Sequence, residues 1–147
     1  MLRNFSFQRL VRYFFLILAS LPMFAHHRPF FLKRAGIKIK GRCHIYSGVR
    51  FDTVHPEYIT IGKNVWITAG TVILTHYLEP NYERVHFRYG KVVIEDDVFI
   101  GVNSVICNSV TIGKGAIIGA GSIVTKDIPP YQVWAGNPAR FVKDRQH

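Results

Sequence analysis

From Ile94 to Pro129 the chain divides into six consecutive six-residue words: IEDDVF, IGVNSV, ICNSVT, IGKGAI, IGAGSI and VTKDIP. Each word opens on an aliphatic residue (Ile94, Ile100, Ile106, Ile112, Ile118, Val124) and carries a small or aliphatic one four places on. A period of six fits neither the 3.6-residue turn of an amphipathic helix nor the alternation of a single strand. It predicts three short strands joined by tight corners, about eighteen residues per triangular coil, with coils stacked so that each initial aliphatic lies on the one three words later. Ile94 is then expected under Ile112, Ile100 under Ile118 and Ile106 under Val124. Gly101, Gly113, Gly115, Gly119 and Gly121, with Asn103 and Asn108, fall where the chain must turn.

The same register recurs upstream with interruptions. Ile61, Ile67 and Ile73 open IGKNVW, ITAGTV and ILTHYL, while Ile39 and Ile45 open IKGRCH and IYSGVR. A smaller break covers Phe51 to Tyr58. The offset from Ile73 to Ile94 is not a multiple of six, so an insertion must leave the coil after the Ile73 strand and return near Val92. This insertion, 77–91, is expected to be a protruding loop, and loops of this length in compact domains usually carry function.

The repeat, the loop placed directly after ILTH, and the closing VTKDIPPYQVWAGNPARFVK resemble the hexapeptide-repeat O-acetyltransferases, the group that includes maltose, galactoside, nodulation-factor and capsule polysaccharide acetyltransferases. The resemblance covers about residues 37 to 143, and the NPAR segment after VTKDIP is its most specific part. It implies an all-β fold, a left-handed parallel β-helix, which departs from the right-handed crossover rule. It also implies a homotrimer with active sites between neighbouring subunits, and acetyl-CoA as acyl donor. Three regions follow: a basic, apolar helical segment at 1–36, the β-helix at 37–129, and a C-terminal extension at 130–147.

Transfer of an acetyl group from a thioester to a hydroxyl needs a base that works near neutral pH, and imidazole is suited to that role. His76 ends the last regular strand before the loop and matches the family's catalytic histidine. Such a base works better when a carboxylate holds its far nitrogen. Asp52, Glu57 and Glu79 are candidates, with Asp52 preferred because an early coil could bring it to the His76 corner. By resemblance, Thr125, Lys126, Arg140 and Lys143 meet the phosphates of the donor, whose charge demands cations. The pantetheine arm would follow Gly101, Val102, Ala120 and Gly121, with the Val102 N–H as oxyanion donor. FIGVN at 99–103 departs from the family's usual WIGG/S, but a backbone donor survives that change. Tyr77, Glu79 and His86 are expected to line the acceptor pocket. The other histidines lack the short spacing that places two ligands on one strand, so no metal is expected.

Charge is unevenly distributed. The first 51 residues hold ten Lys or Arg and no Asp or Glu, so the whole net charge of +10 resides there. No nucleic-acid motif accompanies it, so nucleic acid is not an expected partner. The same stretch is greasy, but about thirteen apolar-rich residues with a proline are too short to span a bilayer, and the cleavage pattern of a signal peptide is poor. Two readings stay open: a helix packed on the β-helix end or a neighbouring subunit, or a basic amphipathic contact with an anionic membrane. Cys43 and Cys107 fall at repeat positions and read as small buried residues. The expected activity is acetyl transfer to a sugar or polysaccharide hydroxyl, cytoplasmic or peripheral at the inner membrane face. An amino-sugar or antibiotic acceptor, or a non-catalytic membrane-associated β-helix, stand as alternatives.

Overall fold

The computed structural model describes residues 7–21, 27–80 and 85–146. Arg3, Phe5, Pro22, Phe24, His26, His147 and the middle of the 77–91 insertion lie outside the described residues. Three parallel walls form the body. The first wall holds β1 (Lys38–Ile39), β4 (Ile59–Ile61), β9 (Val92–Ile94) and β12 (Val110–Ile112). The second holds β2 (Cys43–Ile45), β5 (Val65–Ile67), β10 (Phe99–Ile100), β13 (Ile117–Ile118), β15 (Gln132–Ala135) and the antiparallel β16 (Arg140–Asp144). The third holds β3 (Arg50–Phe51), β6 (Val72–Ile73), β11 (Val105–Ile106) and β14 (Ile123–Val124). The chain visits the walls in rotation, which makes a left-handed parallel β-helix.

The inward columns are the word-opening aliphatics. Ile61, Ile94 and Ile112 stack in the first wall, Ile67, Ile100 and Ile118 in the second, and Ile73, Ile106 and Val124 in the third. All nine are fully buried, and removing such a side chain from water contributes about 1.5–3 kcal/mol. The three stacking pairs expected from the period are the ones found. The corners turn through Asn64, Asp97, Asn103 and Asn108, all at positive φ, a conformation that Asn and Asp tolerate better than other residues with a side chain. The break before Ile59 is taken up by a 3-10 helix, Pro56–Tyr58.

Coil-to-coil spacing is tightest beside the corners. A Cβ added to Gly62 would lie 2.7 Å from both the Asp96 amide nitrogen and the Glu95 carbonyl carbon, backbone that cannot swing away. Gly62→Ala is therefore expected to destabilise the protein by about 1–3 kcal/mol, read as a lower urea midpoint with an unchanged slope. An unchanged midpoint would contradict this account of the spacing.

The insertion is more ordered than the expected loop. It forms an antiparallel hairpin of β7 (His76–Pro80) and β8 (Val85–Tyr89), with His76 opposite Tyr89 and Leu78 opposite Phe87. The Gly90 N–H donates to the Thr75 carbonyl at 2.8 Å, so the arm leaves and re-enters the coil at one point. Its sequence alternates as a strand does, with Phe87 and Tyr89 separated by Arg88.

At the lower end α1 (Phe7–Ser20) and α2 (Arg28–Arg34) cross under the first coil. Ala19 and Leu32 are buried in the core, with Leu16 and Phe31 packed against it, and Arg12 pairs with Glu57 at 3.1 Å. At the upper end the β15–β16 turn brings Trp134 over the last coil, and the Lys126 ammonium lies 5.0 Å from its ring centre.

Candidate active site

The site begins with the register of the third wall. Phe51 pairs with Ile73, so the residue after Phe51 comes level with the chain leaving Ile73. That residue is Asp52, 2% exposed. One carboxylate oxygen accepts from the Val54 and His55 amides at 2.7 and 3.4 Å. The other accepts from the Thr75 and His76 amides at 2.7 and 3.1 Å, and lies 2.6 Å from His76 Nδ1. Burial alone would raise the pKa of this carboxyl. The amides of Thr75 and Val54, the His76 ring and the Thr75 side chain outweigh that effect and hold it at about 2. Asp52 is thus ionised at neutral pH.

An ionised carboxylate is acceptor-only, so the 2.6 Å contact requires the proton on His76 Nδ1 and leaves Nε2 as the basic nitrogen. The imidazole is partly exposed, at 27%, while its partner is sealed. A buried anion behind a half-open imidazole is the arrangement that fixes a tautomer and stabilises the cation formed when the ring takes a proton.

Of the other carboxylates considered as orienters, Glu57 engages His55 and Arg12 instead, and Glu79 pairs with Arg88 on the hairpin. Tyr77, Glu79 and His86, expected to line the acceptor pocket, all lie on the hairpin. Strand alternation and the pairings Tyr77 with Arg88 and Glu79 with His86 put them on the hairpin face opposite the His76 ring. The face shared with His76 carries Leu78, Phe87 and Tyr89, and the Phe87 ring lies 6.2 Å from the imidazole. His55 closes this side, stacked on Tyr58 at 4.8 Å and edge-on to Tyr89 at 4.9 Å. The sequence reading missed His55, Phe87 and Tyr89. For the last two, the alternating pattern of β8 was the available signal.

The remaining site residues divide between the two edges of the third wall. Thr125 and Lys126 follow β14 and lie on the edge where β6 leads to His76. Asn108 links the two levels by donating to the Thr125 carbonyl at 3.1 Å. Gly101 and Val102, with Ala120 and Gly121 one coil above, lie where the chain enters that wall. A Cβ at Gly101 would come within 2.5 Å of the Ala120 nitrogen, so its glycine is demanded by the next coil. Gly121, at φ +68°, has open space on its Cβ side. Val102 is 44% exposed. Arg140 and Lys143 are exposed on β16, with the Arg140 guanidinium on its neighbour's carbonyl. The described residues hold no cluster of three or more metal-ligating side chains. Both cysteines are free, and burial raises both thiols, Cys43 to about 11, which leaves little thiolate at neutral pH.

The profile for the hexapeptide repeat of succinyl-transferase matches residues 91–126, the stretch that builds two full coils. This stretch is a hexapeptide repeat. A 2,3,4,5-tetrahydropyridine-2,6-dicarboxylate N-acetyltransferase of Staphylococcus aureus (strain bovine RF122 / ET3-1) is 49% identical over 84 residues, 57% of this chain and 32% of the relative. The matched part therefore spans about a third of that enzyme's length. Among solved structures, a maltose O-acetyltransferase from Clostridium difficile 630 superposes with a TM-score of 0.75 at 25% identity, over 95% of this chain and 87% of that one. A hexapeptide-repeat acetyltransferase from Vibrio cholerae O1 biovar eltor, complexed with acetyl-CoA, gives 0.74 at 23% identity, over 95% and 88%.

Proposed function

We propose that the protein is an acetyl-CoA-dependent O-acetyltransferase that acetylates a sugar or polysaccharide hydroxyl, with His76 as general base and Asp52 as the residue that orients it. The 2.6 Å contact between a sealed carboxylate and a half-open imidazole carries this reading. Similarity to a maltose O-acetyltransferase along almost the whole chain supports it.

In the reaction His76 Nε2 takes the acceptor's hydroxyl proton as the oxygen attacks the thioester carbonyl. The negative charge that develops on the carbonyl oxygen is met by the Val102 N–H. The tetrahedral intermediate collapses with cleavage of the C–S bond, and the imidazolium returns its proton to the sulfur. The products are the acetyl ester and free coenzyme A. Lys126, Thr125, Arg140 and Lys143 supply charge and donors for the phosphates. Lys126 would have to leave the Trp134 ring to do so, and a cation–π contact of this kind, worth about 0.5–1 kcal/mol at an exposed site, permits that. The hairpin face bearing Phe87 and Tyr89 forms the acceptor wall, in place of Tyr77, Glu79 and His86 of the same chain.

His76 and Val102 stand at opposite edges of one wall, so a single chain does not bring the base and the oxyanion donor to one substrate. A trimer with sites between copies removes the difficulty. The outer face of that wall supports it, since Val72, Val105 and Ile123 align there as a half-buried aliphatic column. The catalytic unit is then 37–129, and acetyl-CoA as donor makes the cytoplasm its place of work.

A second reading, transfer to an amine, is favoured by the Staphylococcus aureus relative. Both are tested by following thiol release from acetyl-CoA across glycan, amino-sugar and aminoglycoside acceptors. Ester formation on a glycan is the expected result. Amide formation alone would replace the O-acetyl reading with the second, and absence of both turnover and acetyl-CoA binding would make the protein a non-catalytic β-helix.

A further inference from the structure

α1 is apolar on two sides. One side, with Leu16 and Ala19, packs on the coil. The opposite side leaves Phe7, Leu10 and Phe14, at helical spacing, between 56% and 78% exposed, while Tyr13 and Ile17, at 52% and 46%, stand at its margin and also line the cavity described next. A helix apolar on two sides, with one already packed, has a second apolar face to cover. At fourteen residues it is about 21 Å long and too short to cross a bilayer.

Between α1 and the first coil lies a cavity of about 250 Å³. Its lining includes Leu16, Leu32, Ile45 and Val49, together with Arg28 and Arg50, and contains no carboxylate. Arg28 is 2% exposed. One guanidinium nitrogen donates to the Ile45 carbonyl at 3.2 Å, while Nε and the other terminal nitrogen have no partner. An unpaired buried cation is costly, and a phosphate is the ligand whose oxygens match two adjacent guanidinium donors.

We infer that this end of the β-helix is a seat for an anionic membrane: the outer stripe of α1 enters the interfacial layer of the bilayer, and a lipid headgroup phosphate occupies the cavity at Arg28. Charge complementarity selects this occupant. The first 51 residues carry ten cations and no acid, and polybasic segments are drawn to anionic leaflets. A second copy would set like-charged segments face to face.

The test uses the full chain without acetyl-CoA, so its outcome is separate from that of the acetyl-transfer reading. Flotation with vesicles of phosphatidylcholine alone or mixed with phosphatidylglycerol should carry the protein up only with the mixture. Leu10→Ser with Phe14→Ser should weaken that partition by about tenfold or more. Arg28→Gln should weaken it with the circular dichroism spectrum unchanged, and Arg9→Gln with Lys33→Gln should do so without touching the apolar stripe. Thermal melts then compare inorganic phosphate with short-chain phosphatidylglycerol, and only the lipid should raise the midpoint. Equal stabilisation by phosphate would make the cavity a site for free anions and overturn the proposal. So would a protein that floats with neither vesicle, or one whose Leu10→Ser/Phe14→Ser form loses only self-association in sedimentation.

Discussion

His76→Ala is expected to lower kcat for thiol release from acetyl-CoA by about 10²–10⁴-fold, the range associated with loss of a positioned general base. KM for acetyl-CoA should stay within a few-fold, because the imidazole acts on the acceptor's proton. Thermal stability should change little, since the ring is partly exposed and its strongest partner, Asp52, keeps four amide donors. Full turnover by His76→Ala would remove the proposed mechanism.

Asp52→Asn should have two effects that separate its two roles. The amide can accept at one position only and can present a donor to His76 Nδ1, so the ring loses its fixed tautomer, and kcat should fall by about 10²-fold or more. The carboxylate also ties the Thr75 and Val54 amides, whose burial without a full acceptor is destabilising. With a folded pKa near 2, below the ordinary 3.8, the ionised group stabilises the protein above the ordinary value. That contribution, on the order of 2 kcal/mol, is lost as pH falls from about 4 toward 2. Urea midpoints measured across this window should drop for the wild type and stay flatter for Asp52→Asn. Parallel curves would assign the acid sensitivity to other carboxylates.

The legible and illegible parts of this protein separate on physical grounds. The coil could be read because every turn repeats the same demand, an aliphatic residue inward, and Ile94, Ile100 and Ile106 answer it without a slip. Asp52 could be read as a partner for His76 because the first coil must stack beneath the second. The hairpin was harder, since Leu78, Phe87 and Tyr89 alternate with a period of two and the six-residue word stops at the insertion. His55 was not legible as a neighbour of the site: a 3-10 turn, rather than the repeat, brings it against Tyr89. Packing of the N-terminal segment on the coil is found, and because Leu16 and Leu10 lie on different sides of one helix, only the packed structure shows which side the coil takes.

The two ends of the stack have a consequence for how molecules can join. A parallel coil leaves the strands of its first and last turns with unsatisfied edges, and such edges template growth. Here α1 and α2 cross the lower edge, while β16 runs antiparallel on β15 and so breaks the parallel rotation at the top. Parallel head-to-tail addition is thereby hindered at the lower edge and at the top of the second wall. The sides of the prism are left as the faces for self-association, and there a contact whose rotation closes gives a ring.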